Sequence, residues 1–96
     1  MKIRKAVMEF AEAMERVLRE NDYKGKPEDC PLDTAVDRLW DELRELDRAA
    51  YGHVNIDTTD ERLEEIRGEA VDVANFALMA WFGATRIESR VSEAQD

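Results

Sequence analysis

Residues 70–82 read AVDVANFALMAWF, and the two polar residues inside that run decide how the chain folds. On a helical projection Val71, Val73, Phe76, Leu78, Met79, Trp81 and Phe82 spread around the whole circumference, interrupted only by Asp72 and Asn75. A helix that is apolar on all sides is buried on most sides. The run is about 20 Å long as a helix, short of the ~30 Å hydrocarbon thickness of a bilayer, and it carries a carboxylate. It is therefore read as a buried helix and not as a membrane span. A carboxylate there must be paired, protonated or bound to a cation, because an unpaired buried charge is strongly unfavourable.

Working outward, the helix containing this run is predicted to start at Asp57, Thr58 or Thr59, with Asp60 and Glu61 suited to its first turn. It continues to about Val91 unless Gly68 or Gly83 bends it. Upstream, Ile3, Val7, Phe10, Ala11, Met14, Val17 and Leu18 recur at three- and four-residue steps and predict a helix from Ile3 to Glu20. Tyr23 to Pro31 holds Gly25, Pro27 and Pro31 and reads as an irregular loop. A second helix, capped by Asp33 or Thr34, carries the stripe Leu32, Ala35, Val36, Leu39, Leu43, Leu46 and Ala50 and reaches Tyr51 before Gly52. His53 to Asp57 forms a second loop. The expectation is a single all-α domain over residues 1–96, an antiparallel helical bundle of three to four helices per subunit completed by oligomerisation.

Composition agrees with that reading and narrows the partners. Only two prolines and four glycines interrupt the 96 residues, which favours helix. The net charge of −9 argues against nucleic acid and against an anionic membrane surface, both of which need a basic face. Cys30 is the sole cysteine, excluding an intramolecular disulfide and a cysteine-based metal framework. Glu9 and Glu12 interrupt any apolar leader-like run after Lys2, Arg4 and Lys5. A reducing, cytoplasmic setting is expected.

Acidic pairs at i, i+3 recur along so acidic a chain, and on most helices they lie on a solvated face, as Glu9, Glu12 and Glu15 illustrate. Glu69 and Asp72 differ because Asp72 lies within the apolar run. The alternative for Asp72 is a salt bridge to an arginine of another helix. On the second helix Glu42 and Glu45 share a face bordering the Leu39/Leu43/Leu46 stripe. Antiparallel packing of the two helices would set these pairs opposite one another. Two carboxylates ~4 Å apart repel by roughly 4 kcal/mol at an effective dielectric of 20, so a cluster of four needs cations. Oxygen-only ligation selects Mg²⁺, Mn²⁺ or Ca²⁺ over zinc, and His53 is the only histidine. Pairing of Glu42 and Glu45 with Arg38 or nearby arginines is the competing reading.

The segment Asp41-Glu42-x-x-Glu45, followed after 23 residues by Glu69-x-x-Asp72, resembles the metal motif of the MazG-type all-α nucleotide pyrophosphohydrolases. The flanking text ELRELDRA and EAVDVANFALM, and the upstream FAEAMERVLRENDYKGK, are similar to small, phage-type members, so the resemblance covers about Phe10 to Trp81. Asp41 stands where the family usually has Glu. The resemblance implies that Glu42, Glu45, Glu69 and Asp72 hold Mg²⁺, with Mn²⁺ a possible substitute. It further implies hydrolysis of a (deoxy)nucleoside triphosphate at the α–β phosphoanhydride, giving monophosphate and pyrophosphate. Glu45 or Asp41 would orient or deprotonate the attacking water.

Substrate contacts follow as expectations. Lys24 and Lys26 meet the β- or γ-phosphate, or else are solvated loop cations. Asn75 bonds the sugar or base, or satisfies a neighbouring carbonyl. Trp40, Trp81 or Phe76 stacks on the base, or serves in packing. Arg86 lies about 21 Å along the helix from Asp72, too far to share its cation site. The apolar residues surrounding the third helix exceed what three helices cover, so a homodimer or dimer of dimers is expected, as the resemblance also implies. The competing class is a non-catalytic acidic helical interaction module. Within the superfamily, dUTP-type and phosphoribosyl-ATP-type activities remain open. A Ca²⁺ sensor is disfavoured because the chain has no Asp/Asn-rich twelve-residue loop ending in Glu.

Overall fold

Long stretches free of Pro become three helices in the computed structural model, which describes residues 1–52 and 59–95. They are α1 (Lys5–Glu20), α2 (Leu32–Tyr51) and α3 (Asp60–Gln95), with no strand among the described residues. The protein is all-α. Helix α1 ends at Asn21, whose side chain turns back and donates to the Val17 carbonyl at 2.9 Å. Between α1 and α2 the expected irregular loop contains two short 3₁₀ turns, Asp22–Lys24 and Pro27–Asp29. Gly25 joins them at φ 118°, a conformation that side-chain-bearing residues avoid.

Helix α2 starts earlier than the sequence predicts. Pro31 is its N-cap, and the Pro31 carbonyl accepts from the Ala35 N–H at 2.9 Å. Asp33 and Thr34 are thus not caps. Asp33 instead sits in the first turn, where its carboxylate accepts from the Thr34 N–H and its charge suits the helix N-terminus. At the start of α3, Thr59 Oγ1 accepts from the Arg62 N–H at 3.3 Å, as a capping hydroxyl does. The expected loop His53 to Asp57, and the caps Asp57 and Thr58, lie outside the described residues. Helix α3 passes Gly68 and Gly83 without interruption over 36 residues.

The principal packing is antiparallel, α2 against α3. The Leu32 backbone at the start of α2 lies against Gly83, and the Arg62 guanidinium near the start of α3 donates to the Ala49 carbonyl at 3.2 Å. A Cβ on Gly83 would sit 3.0 Å from Leu32 Cα, so the absent side chain is what allows this approach. Helix α1 rests on α3, where Asn75 Nδ2 donates to the Met14 carbonyl at 3.4 Å. The second 3₁₀ turn also packs on α3. Arg86 holds it there, donating to the carbonyls of Glu28 and Cys30.

The interior this creates is small. Ala35, Ala49 and Val71 are the buried apolar residues among those described, and no large side chain is fully enclosed. Ile3 ahead of α1, Val7 and Phe10 on α1, Val36, Trp40 and Leu43 on α2, and Trp81 on α3 are all exposed. The chain measures 57 × 31 × 25 Å with a radius of gyration of 16.1 Å, against about 12.5 Å for a compact domain of this length. Among the described residues no helix is long and apolar enough to cross a membrane.

Candidate metal centre

Antiparallel register brings the middle of α2 opposite the middle of α3, and three carboxylates meet there. One oxygen each from Glu42, Glu69 and Asp72 lies within 4.8 Å of the others. Glu42 is 5% exposed. Its Oε1 accepts from Arg38 Nη2, one turn earlier, at 3.1 Å, so the pairing considered as the competing reading does form. That pairing uses one oxygen only. Oε2 of Glu42 and Oε2 of Glu69 are buried and have no hydrogen-bond partner among the described residues. Asp72, half-buried, has no arginine partner among them either.

The electrostatics record the resulting strain. Burial, reinforced by the neighbouring Glu45 carboxylate and by the charge of Asp72, pushes the Glu42 carboxyl up to about 7, with Arg38 opposing. Glu69 is raised by burial and then by the neighbouring carboxylates of Glu45, Asp72 and Glu65. Asp72 is raised by burial and then by Glu45. Glu45 stands exposed at the rim yet acts on all three, so four acids from two helices form one electrostatic unit. Orphaned buried carboxylate oxygens that lie this close together suit a hard, oxygen-preferring divalent cation.

A cavity of about 560 Å³ adjoins this cluster, with Glu42, Asp72 and Asn75 on one wall. Lys24, Gly25 and Lys26 form part of another wall, and Val17, Leu18, Phe76 and Met79 supply apolar surface. The structure therefore brings Lys24, Lys26 and Asn75 to the same cavity as two of the clustered acids. Trp40 and Asp41 are not brought there. They line a separate shallow groove with Asp37 and Arg44, and Asp41 is paired with Arg44 at 3.5 Å. The reason is helical: neighbours Asp41 and Glu42 diverge by about 100° around α2, so only one faces α3.

Two arginines, weighed in the sequence only as a partner for Glu42 and as too distant to share the cation site, shape the cavity. Arg38 lies 5.3 Å above the Phe76 ring while bonding Glu42, so it ties the aromatic wall to the acid cluster. Arg86 does not approach the carboxylates, but by gripping Glu28 and Cys30 it fixes the segment that follows the two lysines. The i, i+4 spacing of Arg38 and Glu42 signals the first contact, and no local pattern signals the second. No family model, no curated protein and no solved structure matches the chain.

Proposed function

We propose that the chain is a Mg²⁺-dependent nucleoside triphosphate pyrophosphohydrolase of the MazG type, releasing monophosphate and pyrophosphate. The observation that carries the reading is the pair of unpartnered buried oxygens, Glu42 Oε2 and Glu69 Oε2, beside Asp72 at the edge of a cavity whose other wall bears Lys24 and Lys26. Such a site has both signs of charge that a metal-bound triphosphate requires. When bound, a divalent cation polarises phosphoryl oxygens, acidifies water and offsets the charge of departing pyrophosphate. Glu42, Glu69 and Asp72 are its ligands. Glu45, at the exposed rim, accepts a proton from the water attacking the α-phosphorus as the α–β bridge breaks. Lys24 and Lys26 balance the outer phosphates, while Phe76, Met79, Val17 and Leu18 receive the nucleoside. Incubation with the eight common NTPs and dNTPs plus Mg²⁺, followed by ³¹P NMR, tests this. Monophosphate with pyrophosphate is expected, and release of inorganic phosphate alone, or no turnover, overturns it.

The working form is a symmetric assembly of copies of this chain, joined through the exposed apolar faces. A folded monomer of this mass exposes about 5,700 Å², whereas this chain exposes 7711 Å². The surplus of roughly 2,000 Å² per chain is of the size that obligate homodimers bury. Trp40 and Trp81, 61% and 62% exposed, are the largest side chains available to that interface.

A further inference from the structure

Asn75 is 3% exposed, lines the cavity, and has an Oδ1 with no partner among the described residues. The orientation of its amide is set from behind. Nδ2 faces the Met14 carbonyl at 3.4 Å, and turning the amide over would bring two oxygens together there. Asn75 therefore keeps an unpaired acceptor, and one N–H beyond the bond to Met14, in the wall of the cavity. A buried acceptor of this kind favours a ligand that supplies a hydroxyl or N–H and rejects one that does not.

Position selects between those donors. Asn75 is three residues past Asp72, about 4.5 Å farther along α3, in the direction in which Phe76 and Met79 continue the cavity lining. In a nucleotide whose phosphates lie at the acid cluster, the sugar follows the α-phosphate after a single methylene, and the base lies beyond the sugar. Resting on the pyrophosphohydrolase reading, we infer that Asn75 Oδ1 accepts a hydrogen bond from the sugar 3′-hydroxyl, making it a specificity-determining residue for nucleotides with a free 3′-OH. Phe76 and Met79, next along the helix, then border the base.

The test compares hydrolysis of dATP, dGTP, dCTP and dTTP with their 2′,3′-dideoxy counterparts, in the parent and in Asn75→Leu and Asn75→Ser. The parent should prefer the 3′-hydroxyl form by at least about fivefold in kcat/KM, the minimum expected when a buried acceptor is left unpaired. Asn75→Leu should bring the ratio near one chiefly by losing activity on the deoxynucleotides. Asn75→Ser, whose hydroxyl also accepts, should retain part of the preference. Because each ratio is taken within one protein, loss of folded material in a variant does not alter it. Equal hydrolysis of both forms by the parent, or an undiminished preference in Asn75→Leu, overturns the inference while leaving the hydrolase reading intact. If the parent hydrolyses ribonucleotides alone, the same ratios are read with their 3′-deoxy counterparts, and turnover of none of the eight NTPs and dNTPs overturns both.

Discussion

Glu42 has one oxygen held by Arg38 and one held by nothing among the described residues, and its affinity for a proton follows from that asymmetry. Burial raises it from 4.5 to about 7, so the folded chain binds the proton more tightly than the unfolded chain does. The associated stabilisation is complete below about pH 4.5 and is lost as pH rises through about 7. Glu69 and Asp72, also raised, act in the same direction. Cation-free protein should thus show a falling melting temperature between pH 5 and 8, and millimolar Mg²⁺ should raise it more at pH 8 than at pH 5.5, since cation and proton compete. A melting profile indifferent to both would contradict the account of the cluster. Replacing Glu69 by Gln or Asp72 by Asn should relieve like-charge repulsion, raising the cation-free melting temperature by about 4 °C or more per kcal/mol relieved. The same variants should abolish pyrophosphate release without loss of helical content by circular dichroism. Glu12→Gln, on an exposed helical face, should change neither property.

Glycines in α3 separate two effects that a sequence cannot. At Gly68 an added Cβ meets nothing within 4 Å, so Gly68→Ala should stabilise by about 0.5–1 kcal/mol through helix propensity. At Gly83 the same methyl lies 3.0 Å from Leu32 Cα and Cβ, so Gly83→Ala should push α2 away and destabilise by about 1–3 kcal/mol despite the better propensity. Denaturant unfolding of the two variants checks both signs. The element layout was legible because apolar periodicity is a local property, and the Asp72 anomaly pointed to the face of α3 where acids converge. Sequence periodicity did not reveal the early start of α2, because Pro31 caps through its carbonyl while Asp33 and Thr34 offer better-known capping side chains. The clamp of Arg86 on a segment more than fifty residues away was equally hidden, being a purely tertiary contact. The separation of Trp40 and Asp41 from the acid cluster was not legible in the acidic motif, since one step along a helix moves a side chain to another face.

At the scale of the whole molecule, three buried apolar side chains among the described residues and a large accessible surface are what the proposed assembly of copies would complete. Light scattering with size-exclusion chromatography should give a mass of two or four chains. Trp81→Glu should shift that mass toward one chain and lower the melting temperature, whereas an unaltered assembly would remove Trp81 from the interface. The claim on which the function rests is narrower: acids from α2 and α3 jointly bind a divalent cation. Isothermal titration of Mn²⁺ into the parent and into the Glu69→Gln/Asp72→Asn double variant at pH 8 measures it directly. Saturable heat in the parent and none in an equally helical variant is the predicted outcome. Identical heats in both proteins, or no binding by the parent, would contradict it.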